Sequence, residues 1–109
     1  MTAANIITTI GEGLMGWDHV KDHTFKTRTY KMGVPDIIEF DPLRKDNDCM
    51  MAWDKFCEKY HAHIHCGDGK VECWFGDKRG YAVHVPIGTN RRRVMCKCML
   101  RAIQDETEE

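Results

Sequence analysis

Two alternating runs separated by a glycine turn constrain this chain more than any other feature. Residues 61–66 alternate histidine with alanine, isoleucine and cysteine, and residues 70–75 alternate in the same way after Gly67-Asp68-Gly69. Alternation places every second side chain on one face of a strand, and glycines adopt the positive φ angles that a tight turn requires. The two runs therefore predict a β-hairpin.

A helix precedes this hairpin. Asp46, Asn47 and Asp48 are N-cap candidates, and their negative charge is favourable at a helix start. The apolar residues that follow recur with the helical period, which predicts a helix from about Asp48 to Tyr60. Its predicted apolar stripe consists of Cys49, Trp53, Phe56, Cys57 and Tyr60.

A third strand and a final helix follow the hairpin. Residues 81–85 alternate and stop at Pro86, which cannot donate to a ladder and so marks a strand end. Thr89 or Asn90 then caps a helix that extends to residue 104, and the acidic residues 105–109 are expected to fray. The predicted apolar positions of this helix are Val94, Met95, Cys98, Met99, Ala102 and Ile103.

The first 43 residues give weaker signals. Residues 1–17 predict a helix with apolar side chains at helical spacing, which Gly11, Gly13 and Gly16 weaken by about 1 kcal/mol each. Residues 18–43 show no sustained period, so we interpret them as a long connection with a short extended piece at 37–40.

The predicted order of elements is α-α-β-β-β-α, which defines an α+β fold with a three-stranded antiparallel sheet. The length of 109 residues fits one domain, 1–109, whose core unit spans residues 44–104. The apolar face of the sheet can bury both long helices. The opposite face carries His63, His65, Glu72, Trp74 and His84, and the N-terminal helix is the element left to cover it, so helices lie on one or both faces.

The net charge and the distribution of apolar residues argue against several classes of protein. The net charge of -1 disfavours a dedicated nucleic-acid binder, although it allows a local basic patch. No apolar run is long enough to cross a bilayer and no export signal opens the sequence, so we expect a cytoplasmic protein. In that reducing compartment the six cysteines are expected to be free, buried thiols.

The histidine-rich face raises the question of a metal site. A His-x-His pair on a strand points two imidazoles the same way, about 7 Å apart, as zinc and other transition metals require. Three histidines along one strand diverge, so the candidate ligands are His63 or His65 together with Glu72 or His84. The alternative is that these imidazoles are half-exposed polar side chains packed partly against Trp74.

The start of the last helix is the most informative polar feature. Arg91, Arg92 and Arg93 lie where the helix dipole already presents positive charge, so they do not serve helix stability. Lys97 and Arg101 continue the line from Arg93 at helical spacing. An anion could be held there by guanidinium groups and backbone N–H groups together, or the residues could form a solvated charged face.

Catalytic signatures are absent from the sequence. It contains no G-x-S-x-G, P-loop, G-x-G-x-x-G or H-E-x-x-H motif. We therefore predict a non-enzymatic protein and expect no cofactor.

Three segments together resemble a known family. They are Leu14-Met15-Gly16-Trp17, the helix around Trp53, and residues 94–102. They are similar to the phage ABA sandwich domain, a family of small uncharacterised phage and prophage proteins, over most of the chain outside residues 18–40. The resemblance implies helices on both faces of a sheet, with the N-terminal helix over the histidine face, and a phage-encoded protein acting in the bacterial cytoplasm.

The histidine-rich strand and the arginine triplet depart from that family, whose members more often have threonine, proline and apolar residues there. Small phage accessory proteins commonly bind and redirect or block a host component, including defence systems. We therefore expect a host partner, either an acidic protein surface or a phosphate-bearing small molecule. A nucleic-acid module remains an alternative because α-β-β-β-α is also the order of double-stranded RNA-binding domains. A metal-binding protein is a further alternative, and exposed strand edges are compatible with a homodimer.

Overall fold

The computed structural model of the chain describes residues 2–31, 34–76, 82–88 and 90–107. In chain order the elements are α1 (Ala3–Gly13), β1 (Asp18–Lys21), β2 (Thr24–Lys31), β3 (Val34–Glu39), α2 (Asp46–Lys59), β4 (His61–Gly67), β5 (Lys70–Gly76), β6 (Ala82–Gly88) and α3 (Arg91–Thr107). They form two antiparallel sheets, β1-β2-β3 and β4-β5-β6. The α+β class is confirmed, and the order from α2 onwards is the predicted one.

The first sheet lies within residues 18–43, which the sequence led us to interpret as a connection. A positive φ of 48° at Asp22 turns the chain between β1 and β2. β1 and β2 were not predicted because they are mostly polar, whereas the short extended piece predicted at residues 37–40 overlaps the end of β3. Among the described side chains of β2, Phe25 and Thr27 are the buried ones, so no long apolar alternation marks this sheet.

α1 is shorter than the predicted helix of residues 1–17. Thr2 caps its start, where the Oγ1 atom accepts a hydrogen bond from the backbone N–H of Asn5 at 3.3 Å. It ends at Gly13, and Gly16 has a φ of +72°, in the left-handed region that glycine tolerates. The chain therefore leaves the helix before Trp17.

α2 begins at Asp46, two residues before the predicted start. Its N-cap is Lys45, which makes no side-chain cap hydrogen bond, so none of the three predicted residues caps the helix. Asp48 instead accepts a hydrogen bond from the backbone N–H of Asp41 at 2.9 Å. The carboxylate is thus used to hold the segment before the helix, while Asp46 and Asp48 keep favourable charge in its first turn.

The second sheet is built around the predicted hairpin. β4 and β5 pair over seven residues without a bulge, and Asp68 and Gly69 have φ angles of 54° and 72° in the connecting turn. β6 continues through Pro86 to Gly88, past the predicted end. Proline is tolerated there because β6 is an edge strand. Tyr81, the predicted first residue of that strand, lies outside the described residues.

α3 occupies the centre of the hydrophobic core. It contacts α1, α2, β5 and β6, and it extends to Thr107. Its buried residues are Val94, Met95, Cys96, Cys98, Met99, Leu100 and Ala102. Cys96 and Leu100 were not in the predicted stripe, because that stripe assumed one covered face whereas several elements surround the helix. Neither α3 nor any other described helix is long and apolar enough to span a membrane.

The histidine face of the second sheet is not covered by α1. Gly13 of α1 lies against Ile103 of α3, so closely that a Cβ atom would be 2.9 Å from the isoleucine Cγ2. Trp17 packs on Phe25 and Phe40 at the first sheet, with ring centroids 6.2 and 5.2 Å away. The three histidines of β4 are exposed. The expected placement of the N-terminal helix over them is therefore wrong, because its apolar side chains join the core through α3 and the first sheet.

Replacing Gly11 with alanine should destabilise the protein. Intrinsic helix propensity alone favours alanine by about 1 kcal/mol. A Cβ atom at this position, however, would overlap the fully buried ring of Phe25. Overpacking of this kind costs about 1–3 kcal/mol, so urea unfolding should show a net loss of stability. Glu12→Ala, one residue further on the exposed side of α1, is the control and should be neutral or stabilising. A more stable Gly11→Ala variant would contradict this packing.

Candidate functional site

The basic start of α3 is positioned by Asn90. Its Oδ1 atom accepts a hydrogen bond from the backbone N–H of Arg93 at 3.1 Å, and its carbonyl oxygen accepts one from Val94 at 3.1 Å. Asn90 is therefore the N-cap, and the alternative cap, Thr89, lies outside the described residues. This cap fixes which direction each of the three arginines takes.

Arg92 joins the starts of α3 and α2. Its Nη1 atom donates to Asp46 Oδ1 at 2.7 Å, and its Nε atom donates to the carbonyl oxygen of Leu43 at 3.0 Å. Arg91 Nη2 lies 3.7 Å from the same Asp46 oxygen. The hydrogen bond from Arg92 lowers the pKa of the Asp46 carboxyl below its usual range. Two of the five predicted anion-binding side chains, Arg91 and Arg92, thus share one carboxylate partner at the start of α2.

The remaining three predicted residues form the outward face of α3. Arg93, Lys97 and Arg101 are four residues apart and exposed. Arg101 makes an ion pair with Asp105 at 3.2 Å but keeps 58% of its side chain exposed. No ion pair involves Arg93 or Lys97 within the described part of the chain. We call these three residues the α3 basic stripe.

The α3 basic stripe is linear rather than converging. Eight residues of helix rise about 12 Å, so the three charges extend along a line far longer than one phosphate group. A phosphate-binding pocket needs donors that converge from several directions. The stripe is better matched to an extended anionic surface.

The second predicted feature is the outer face of the second sheet. His61, His63 and His65 are exposed, and the rings of the first two are 5.6 Å apart. On β5, Glu72 and Trp74 are half-buried. The structure therefore places these predicted residues on one open face.

The strand register sets the spacing of the candidate metal ligands. Trp74 is paired with His63 on one side and with His84 on the other. His63 and His84 are consequently two strands apart, roughly 10 Å, with a tryptophan position between them. His65 is paired with Glu72. Within the described residues, no group of three or more histidine, cysteine, aspartate or glutamate side chains is placed to hold a metal ion.

Two clefts are present that the sequence did not reveal. One, of about 240 Å³, lies at the β4–β5 turn and is lined by His65, Gly67, Asp68, Lys70 and Glu72. The other, of about 270 Å³, is lined by Ala3, Ala4, Ile7, Asp22, His23, Asp41 and Arg44. Both are lined by carboxylates together with one cationic side chain, Lys70 in the smaller cleft and Arg44 in the larger one, and neither includes a predicted anion-binding residue.

Asp41 is the unusual residue of the larger cleft. Its side chain is 6% exposed, and its Oδ2 atom lies 3.8 Å from the Nε atom of Arg44. Its buried Oδ1 atom has no hydrogen-bond partner among the described residues. Nothing in the local sequence signals this burial, because Asp41 belongs to the segment that was interpreted as a connection.

Four of the six cysteines are buried thiols at the interfaces of α3. These are Cys49, Cys73, Cys96 and Cys98. A hydrogen bond with Cys49, together with burial, raises the pKa of Cys96. A hydrogen bond with Cys73, together with burial, raises the pKa of Cys98. The two thiols of the Cys-Lys-Cys segment therefore face different neighbours and remain protonated, as packing groups rather than nucleophiles.

Cys57 and Cys66 are exposed, so the prediction that all six thiols are buried is wrong. Cys57 is exposed because the buried side of α2 is narrower than the predicted apolar stripe, which included Cys57. Cys66 lies on β4, where the side chains from His63 onwards are exposed. Partial burial and the nearby Asp54 carboxylate raise the pKa of Cys57, which does not favour a reactive thiolate.

Comparison with known proteins identifies a structural relative. No protein-family model matches the sequence. No curated protein matches it either. Among solved structures, the chain is similar to a phage protein from Bacillus cereus ATCC 14579, with a TM-score of 0.69 and 16% sequence identity over 94% of this chain and 92% of that chain. At that identity the likeness establishes a shared fold.

Removing the Arg92 side chain should lower stability at neutral pH more than removing Arg93. Arg92→Ala breaks the bonds to Asp46 and Leu43, whereas Arg93→Ala removes an exposed charge that the helix dipole disfavours. The lowered pKa of Asp46 means that its stabilising contribution is present above its usual pKa of 3.8 and is lost as pH falls through the lower folded value.

The difference between wild type and Arg92→Ala should therefore be largest near neutral pH and shrink below about pH 4. Urea titrations of both variants at several pH values measure this difference. Equal losses for Arg92→Ala and Arg93→Ala would contradict a structural role for Arg92, and a difference that does not depend on pH in the acid range would contradict the contribution of its pair with Asp46.

Proposed function

We propose that this chain is a small, non-enzymatic phage accessory protein that binds an acidic surface of a host protein through the α3 basic stripe. The observation that carries the proposal is the exposure of Arg93, Lys97 and Arg101 on one helix face. Of these three, only Arg101 has an ion pair within the described residues, to Asp105. Because the helix dipole does not favour a cation in its first turn, an external partner accounts for Arg93 better than stability does.

The shape of the stripe favours a macromolecular partner over a phosphate-bearing small molecule. A line of three cations on a convex helix matches a complementary acidic patch, and such patches mainly raise association rates and select partners. The fold shared with a phage protein supports phage origin, and a host component in the bacterial cytoplasm is the corresponding class of partner. Redirection or inhibition of that component, including a defence protein, is the proposed outcome.

Charge reversal tests the stripe. Arg93→Glu/Lys97→Glu should abolish the capture of an acidic host protein from infected-cell extract, because it replaces attraction by repulsion at the contact. The captured protein, once purified, should bind the wild type more weakly as salt is raised. The matched control is Lys21→Glu/Lys26→Glu, which makes the same charge change on exposed residues of the first sheet and should bind normally.

Retention of the same partner with the same affinity by Arg93→Glu/Lys97→Glu would refute the proposed surface. Loss of binding in both double variants would also refute it, because the effect would then follow net charge rather than position.

A second candidate function is double-stranded RNA binding. One observation favours it: α2 and α3 both contact the β4-β5-β6 sheet through its buried face, in an α-β-β-β-α order with a basic start to the last helix. Domains of that kind contact phosphates across about 16 base pairs. A mobility-shift assay with a duplex of that length distinguishes the two functions. Salt-sensitive RNA binding that Arg93→Glu/Lys97→Glu removes would favour this candidate over a protein partner.

A further inference from the structure

β4 differs from the other edge strands in lacking a feature that blocks pairing with another strand. Edge strands are ordinarily protected by short length, bulges, proline or charge. β1 has four residues and a bulge, β3 contains a proline and two acidic residues, and β6 contains a proline. β4 has seven residues, pairs with β5 without a bulge, and carries neither proline nor a formal charge when its histidines are neutral.

The sequence of β4 is complementary to itself in antiparallel pairing. A twofold axis at Ile64 would place this side chain, 37% exposed in the monomer, against its own copy. The same register puts His61 opposite Gly67 of the second copy and Ala62 opposite Cys66, so no two formal charges face each other along the paired strands.

The outer face of such a pair gathers imidazoles from both chains. His63 of one copy lies opposite His65 of the other, and the twofold axis repeats this pair. Directly opposite residues have Cβ atoms about 5 Å apart, and alternate residues of one strand about 7 Å apart. The four imidazoles of His63 and His65 from both chains therefore surround one point, whereas the three histidines of a single β4 strand follow one line.

We infer that two copies of this chain pair along β4 and that His63 and His65 of both copies bind one divalent transition-metal ion, such as zinc, at the seam. Imidazole nitrogens coordinate zinc at about 2.0–2.1 Å, and four such ligands complete a tetrahedral site. Glu72, which is paired with His65 in the register, supplies the type of carboxylate that commonly orients a metal-bound imidazole. One chain alone does not provide the full set of metal ligands, because His63 and His84 are separated by the Trp74 position between them.

Sedimentation of the protein without a histidine tag tests this inference. With EDTA the chain should be mainly monomeric at micromolar concentration, and Zn²⁺ should strengthen dimerisation at least about tenfold, with one zinc ion bound per two chains. His63→Ala/His65→Ala should lose the effect of zinc. His19→Gln/His23→Gln, which removes two imidazoles near the first sheet, is the matched control and should retain it.

Ile64→Lys tests whether the strands themselves pair. A charged side chain at the twofold axis should prevent the zinc-linked dimer, whereas Ile37→Lys, at an exposed isoleucine of β3, should not. Hydrogen exchange tests the same strand pairing in the unmodified protein. Backbone amides in residues 61–67 should become protected from exchange when zinc is added.

Four outcomes would overturn the inference. They are a monomer at every zinc concentration, a dimer that does not respond to zinc, a zinc effect that survives loss of both histidines or the Ile64→Lys change, and unchanged exchange in residues 61–67.

Discussion

Burial of α3 on several sides is the constraint on which the rest of this structure depends. A helix that contacts two helices and a sheet cannot keep a wide polar face, and its buried residues exceed a single stripe. Many side chains at these contacts contain sulfur. Such side chains suit a helix that is surrounded by several elements, because they are polarizable and fill irregular gaps between elements of different geometry. Among the described side chains of α3, what remains exposed is a narrow side that meets water, where charged residues are solvated.

The same constraint explains why only part of the arginine cluster is available to a partner. The start of α3 must stay close to the start of α2 while both helices cover the sheet, and Arg92 makes that connection through Asp46 and Leu43. In the sequence alone, nothing distinguishes the three consecutive arginines from one another. Helical geometry separates them, because consecutive positions differ by about 100° around the axis and so face different surroundings.

The second sheet and its two helices could be predicted from sequence because their patterns are strong and local. Residues 61–66 alternate strictly, and Gly69 of the predicted turn adopts the expected left-handed conformation, as the neighbouring Asp68 also does. The first sheet could not be predicted, because its strands expose most of their described side chains and are held to the core mainly at Phe25. Hydrophobic periodicity in a sequence indicates which side chains are buried. A strand whose side chains are mostly solvated therefore shows little periodicity.

The candidate sites were predictable in composition but not in arrangement. The histidine face was identified correctly from alternation, yet the pairing of Trp74 with both His63 and His84 depends on the register of three strands. Likewise, the burial of Asp41 depends on where α1 packs, which no nearby residue indicates. The local sequence indicates which side chains share a face of a strand or helix. The distances between side chains on different strands and helices are determined by the tertiary structure.

The contact between Gly13 and Ile103 has a consequence for how the chain acquires its structure during synthesis. α1 is made early and meets Phe25 of β2 soon afterwards, but its packing partner on α3 is made late, so part of its apolar side stays uncovered until α3 has been made. A glycine-containing helix of this length is marginal in isolation. α1 should therefore remain unfolded or transiently shielded by chaperones until α3 emerges, and the closing of this sequence-distant contact is a late step that sets the pace of folding.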